Sequence, residues 1–380
     1  MSVIANFLRW KETARVPERV AAAAALSRAY VHRELSLEQR MAAQAALTLL
    51  LDDPSPKVRV AMSEALCMST KAPLEVVTAL AADQHEVAAP VILHSPLLTD
   101  SDLINILTNT GQAEIQAAVA SRAGLSQRVI ATLADVACAR ACAVLVSKNS
   151  VYIPAESLRR MIERHGDDSH LRSILLKREG LPPHCRHLLL QRASEALSSS
   201  PFVAKILGAD GARLVVANAR NDASLVLVDQ ARPTEQAALV ARMREAGELT
   251  SSLLVRAMAY GKTGFLAAAL AVVTGIPETK ANTLLQRGST RALLSLFRQA
   301  GLRAVTHEPI LTALKICRDV EAGRCLLGPQ EIARCMLVAL EKSTEGGEQE
   351  RIALASLLRR IFLEELRRNA RSEAWALAAA

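Results

Sequence analysis

Aromatic side chains are scarce in this chain, with two Trp, three Tyr and five Phe among 380 residues. Its core must therefore be built from Ala, Leu, Val and Ile, which is helix-packing material, and little remains for stacking nucleic-acid bases on aromatic rings. Long apolar runs are missing too. Apart from the N-terminal region, the longest, residues 265–273, is too short to cross a bilayer as a helix, so no membrane span is expected. No pair of cysteines has the Cys-x-x-Cys spacing, and seven cysteines, an odd number, fit free buried thiols in a reducing compartment. Residues 20–26 (VAAAAAL) look like a signal-peptide core. They are few, Arg15, Glu18 and Arg19 crowd them, and residues 1–8 contain no basic residue. The expectation is a cytoplasmic protein. There is also no G-x-S-x-G elbow, no H-E-x-x-H and no evident pair of catalytic carboxylates, so enzymatic activity is not expected.

The charge is +8, from 46 Lys and Arg against 38 Asp and Glu. Residues 1–200 carry 22 basic against 20 acidic residues and residues 201–380 carry 24 against 18, so most of the excess lies in the second half. It is spread thinly there, as on a solvated surface, and the 36 arginines against 10 lysines read as composition.

The organising stretch is residues 50–66, LLDDPSPKVRVAMSEAL. One helix ends, Asp52, Asp53, Pro54, Ser55 and Pro56 make a turn, and a second helix begins with Val58, Ala61, Met62, Ala65 and Leu66 on one face. A single helical hairpin cannot bury its apolar face alone, so the unit must recur. Val87, Ile115, Ala143 and Leu171 follow one another at intervals of 28 residues, each just inside a second helix, and Val58 precedes Val87 by 29. A second marker keeps the step: Leu98-Thr99, Leu125-Ser126, Ile153-Pro154 and Leu181-Pro182 each set an apolar residue before a helix-starting Thr, Ser or Pro. Two markers with one period predict stacked hairpins, an all-α solenoid.

The turn and following helix DDPSPKVRVAMSEAL resemble a HEAT repeat, in which Asp52, Asp53, Pro54, Val58 and Arg59 match the turn and the start of the second helix. Residues 86–107 (EVAAPVILHSPLLTDSDLINIL) resemble an uncharacterised bacterial family of HEAT-like proteins, a domain of unknown function, and residues 247–270 (GELTSSLLVRAMAYGKTGFLAAAL) resemble its C-terminal part. The resemblance implies a fold and no activity.

The expected organisation is N-terminal capping helices at 1–35, a HEAT-like repeat array at 36–198, a second all-helical lobe at 199–345, and a C-terminal helix and tail at 346–380. Residues 198–201 break the 28-residue step. Beyond them Gly and Pro punctuate short helical segments; the strand-like run 224–229 (SLVLVD) is read as helix, 343–348 (STEGGE) as a flexible link, and 370–380 as a fraying end.

Candidate chemistry meets a plainer reading at each point. Gly261-Lys262-Thr263 ends like a phosphate loop but lacks the upstream glycine and strand, and Gly261 suits a helix C-cap. His165, Asp167, Asp168 and His170 gather ligand types for a divalent metal, but in an inter-helix turn where Asp and Gly are expected anyway; no metal or cofactor is assigned. His184, Cys185 and His187 bring a thiol and imidazoles together on one helix, but the sequence identifies no third metal ligand for them. Arg122 and Arg178 lie two repeat lengths apart, with His94 at an equivalent place, near the ends of second helices. With Arg59 they form a candidate binding stripe; alternatively each serves only a helix dipole. The expectation is a non-enzymatic scaffold or adaptor presenting a helical-repeat surface to another protein. The alternative is a nucleic-acid binder contacting phosphates through Arg and Lys.

Overall fold

The computed structural model describes residues 3–379, and every described element is helical. The chain divides into two compact units, Met1–Leu181 and Pro182–Ala380.

In the first unit the helices are α1 (Val3–Thr13), α2 (Val16–His32), α3 (Leu37–Leu51), α4 (Pro56–Leu66), α5 (Leu74–Ala81), α6 (His85–His94), α7 (Asp100–Asn109), α8 (Ala113–Ser121), α9 (Gln127–Val136), α10 (Ala139–Ser147), α11 (Ala155–His165) and α12 (Ser169–Lys177). They form six successive hairpins. The second helices α2, α4, α6, α8, α10 and α12 stack each on the next. The first helices form the other layer, in which α1, α3 and α5 pack in sequence, as do α7, α9 and α11. This is the solenoid that the 28-residue step predicts, and both markers fall where they should. Val58, Val87, Ile115, Ala143 and Leu171 are all buried. Thr99, Ser126, Pro154 and Pro182 are all N-caps, with the Thr99 and Ser126 hydroxyls accepting from the amides of Asp102 and Val129. The residues before three of them, Leu98, Ile153 and Leu181, are buried and Leu125 is half-buried, so three of the four markers pair a cap with an anchor in the core.

The turn between α3 and α4 is held more firmly than turn chemistry alone requires. The Asp53 carboxylate, 1% exposed, accepts from the Ser55 amide at 2.9 Å and from Arg19 Nε and Nη2 at 2.8 and 3.1 Å. Burial alone would push this carboxyl up, but its hydrogen bonds to Arg19 and Ser55 and the nearby cations hold it below its ordinary value.

The second unit contains α13 (Pro183–Ser198), α14 (Pro201–Leu207), α15 (Ala209–Gln230), α16 (Pro233–Glu245), α17 (Ser251–Ala259), α18 (Thr263–Thr274), α19 (Glu278–Arg287), α20 (Thr290–Gln299), a single 3-10 turn (Ala304–Thr306), α21 (His307–Glu321), α22 (Pro329–Lys342) and α23 (Glu348–Ala379). Its core gathers Leu239, Val255, Met258, Leu266, Phe297, Ile310, Met336 and Leu358. The run 224–229 lies inside α15, as read from the sequence.

Three boundaries differ from expectation. The units divide after Leu181 rather than at 198, because α13, which the sequence placed in the repeat array, packs against α15 and α16. The segment 343–348 contains a close-packed turn. Gly346 has φ +87°, and a Cβ there would come 2.7 Å from Val305 Cβ, so the chain passes too near for any other residue. Finally, helix α23 continues through the stretch expected to fray, as far as Ala379. Its buried Leu358 and Ile361 dock it within the second unit, against α22 and α17.

Candidate functional site

The repeat-end stripe is built from the C-caps of the stacked second helices. Arg122 follows α8 and donates through Nη1 to Ile92 O at 2.9 Å and through Nη2 to Ser95 O at 2.6 Å. Lys148 follows α10 and donates through Nζ to Ala120 O at 2.8 Å and Arg122 O at 3.1 Å. Arg178 follows α12 and donates to Val146 O at 2.6 Å, Lys148 O at 3.1 Å and Val151 O. Each cation therefore satisfies the orphan carbonyls at the end of the second helix one repeat earlier, where the helix dipole is negative. Burial holds all three below their ordinary pKa values. Arg59 is engaged differently, with a fork of bonds to the Asp83 carboxylate and a third to Asp53 O. Of the four residues predicted for the stripe, only His94 has an exposed side chain. The structure does bring Arg122 and Arg178 into register, but their guanidiniums face into the stack. Lys148, between them in the stack, is the rung the sequence reading missed.

The remaining candidates resolve into local structure. His165 Nε2 lies 2.8 Å from Ala137 O, Asp168 caps α12 by accepting from the Leu171 amide at 2.8 Å, and Asp167 and His170 are exposed. Among the described residues, no group of three or more His, Cys, Asp or Glu is placed to hold a metal ion. Gly261, at φ +70°, closes α17, and Lys262 Nζ pairs with Asp229 at 2.8 Å, so the phosphate-loop likeness ends there. Cys142 is buried and burial pushes its thiol up to about 12, which makes it inert.

A buried polar network escaped the sequence reading. His187 Nε2 on α13 lies 2.5 Å from Glu248 Oε2 in the turn between α16 and α17. Gln191 Nε2 donates to Glu248 Oε1 at 2.8 Å, and Arg220 Nη1 of α15 lies 3.4 Å from the same oxygen. Burial would push the Glu248 carboxyl up; the hydrogen bonds from His187 and Gln191 and the charges of His187 and Arg220 outweigh it and hold the group below the usual carboxylate range. Ser224 Oγ lies 3.4 Å from His187 Nδ1, which completes a Ser, His, Glu set. The hydroxyl nevertheless donates to Arg220 O at 2.9 Å within its own helix and is 3% exposed, so it presents no nucleophile to a substrate. Glu248, Gln191 and Arg220 border an open cleft of about 960 Å³, and their network clasps α13 and α15 to the α16–α17 turn. Only the spacing of His187 and Gln191, one turn apart on α13, hinted at it.

Apolar side chains are also exposed on α14 and the start of α15. Helix α14 has five apolar residues among its seven and buries none of them. Phe202 and Ile206, one turn apart, are 71% and 63% exposed. Leu207, and Leu214 and Val215 on the adjoining α15, are also exposed. Such side chains occur singly on most surfaces; five on two packed helices do not need solvent contact for any local structural purpose.

A family model described as "Uncharacterised protein conserved in bacteria (DUF2336)" matches residues 87–348, and the chain belongs to that family. No curated protein and no solved structure matches it.

Proposed function

From a family that prescribes no activity, we propose that this chain is a non-enzymatic scaffold that binds another protein, with the α14–α15 corner as its contact surface. The observation that carries the reading is the exposure of Phe202, Ile206, Leu207, Leu214 and Val215 on two packed helices. Burying such side chains against a partner is worth about 25 cal/mol per Å² of apolar surface, and aromatic anchors dominate interfaces of this kind. The nucleic-acid alternative receives less support, since Arg59, Arg122, Lys148 and Arg178 spend their donors on carboxylate and carbonyl oxygens inside the repeat stack rather than offering them to phosphates.

The test is affinity capture from lysate of the source cell, with nuclease treatment, comparing the native chain with a Phe202→Ser, Ile206→Ser variant. Both positions are exposed, so the variant keeps its helical circular dichroism. A protein captured in stoichiometric amount by the native chain and lost from the variant supports the reading. Capture that vanishes with nuclease, or that ignores the substitutions, contradicts it.

A further inference from the structure

The first-helix layer of the solenoid has a gap. α3 packs on α5, α7 on α9 and α9 on α11, but α5 and α7 hardly touch. The facing residues explain this: α5 offers Thr78 and Ala81, which are small, and α7 offers Asn105 and Asn109, which are polar and exposed. What remains is a notch of about 430 Å³ floored by Leu98, Ile106 and Ile115, a size within the roughly 300–1,000 Å³ of ligand clefts.

The chemistry of its walls is specific. The side-chain amides of Asn105 and Asn109 make no hydrogen bond with the described residues. Each offers a donor pair and an acceptor, the complement of a peptide group. They stand one helical turn apart on one face of α7, about 6 Å along the axis. Alternate peptide groups of an extended chain repeat at about 6.8 Å, a close match. Asp102, one turn earlier on the same face, uses Oδ2 to accept from the Thr99 amide and hydroxyl, leaving Oδ1 without a partner among the described residues. Asp83 also borders the notch and is paired with Arg59. Among the described residues no Lys or Arg lines it, although the chain as a whole is basic, so the notch presents carboxylate to whatever enters.

We infer that the α5–α7 notch binds an extended segment of a partner protein that carries a Lys or Arg side chain. The segment runs along α7, its peptide groups bonded to Asn105 and Asn109. The methylene stem of its basic side chain lies on Ile106 and its charge meets Asp102. The inference rests on reading the chain as a protein binder, but on a surface separate from the α14–α15 corner and with its own test.

The experiment measures binding of the full chain to labelled short flexible peptides that differ only in a central Lys, Arg, Gln or Glu. The Lys and Arg peptides should bind best and the Glu peptide worst. An Asn105→Ala, Asn109→Ala variant should weaken every peptide by about tenfold or more, whereas Asp102→Asn should chiefly abolish the preference for Lys and Arg over Gln. These positions are on the surface, and an unchanged thermal melt confirms that each variant folds. The Phe202→Ser, Ile206→Ser variant should bind the peptides normally, so failure of the corner and failure of the notch are read separately. Basic peptides binding no better than acidic ones, or binding indifferent to Asn105 and Asn109, overturns the inference.

Discussion

At the scale of single residues, the cations Arg122, Lys148 and Arg178 at the ends of the stacked second helices serve as caps. Arg178 is the clearest case, because one guanidinium satisfies three carbonyls from the preceding repeat while only 9% of the residue remains exposed. Arg178→Met should cost about 1–3 kcal/mol, since it leaves buried acceptors without donors; a thermal melt beside an Arg128→Ala control, an exposed position, measures it. The stripe was half legible in the sequence. Spacing placed Arg122 and Arg178 at equivalent repeat positions, but it could not say that the reach from cation to carbonyl, 27 to 32 residues, is itself about one repeat. That coincidence of offsets marks a stacking role, and binding to phosphate would not require it.

Glu248 gives the pH prediction at the same scale. Its folded-state carboxyl sits below its unfolded value, so the stabilisation it supplies is complete above the ordinary carboxylate range, about pH 4.3, and is lost as pH falls through the lower folded value. Glu248→Gln should therefore lower the melting temperature most near neutral pH, with the difference from the native chain shrinking in acid. A difference independent of pH would mean that the carboxylate is not the group that matters.

At the scale of elements, the helices were readable because cap and core residue recur together. The N-caps Thr99 and Ser126 and the buried Val87, Ile115 and Leu171 are local facts that need no knowledge of the rest of the chain. The boundary at Leu181 was not readable. Cys185 and Leu189 repeat the apolar spacing of a first helix, and only the packing of α13 on α15 and α16 assigns it to the second unit. The turn before α23 shows the same limit: consecutive glycines read as flexibility, yet Gly346 is wedged against Val305. Gly346→Ala should destabilise the second unit by at least about 1–2 kcal/mol, from the left-handed backbone alone, with the steric clash added. If its denaturation midpoint is unchanged, the turn is looser than described.

On the scale of the whole molecule, the side chains that looked reactive are spent on local structure. The groups that looked reactive in the sequence, His165, Asp168, Cys185 and Lys262, are caps, core or ion pairs. Among the surfaces left open are the apolar corner of α14–α15 in one unit and the amide-lined notch between α5 and α7 in the other. Neither was visible in the sequence, since apolar residues at helical spacing in 202–215 imply burial until the fold shows that nothing covers them.

The most direct measurement places a photo-cross-linking amino acid at position 202 in one version of the chain and at position 94, the exposed residue of the stripe, in another, followed by irradiation in the source cell. A defined protein adduct from position 202, with no nucleic-acid adduct from position 94, is what a scaffold working through the α14–α15 corner predicts. Nucleic acid joined at position 94, with nothing joined at 202, would contradict that account.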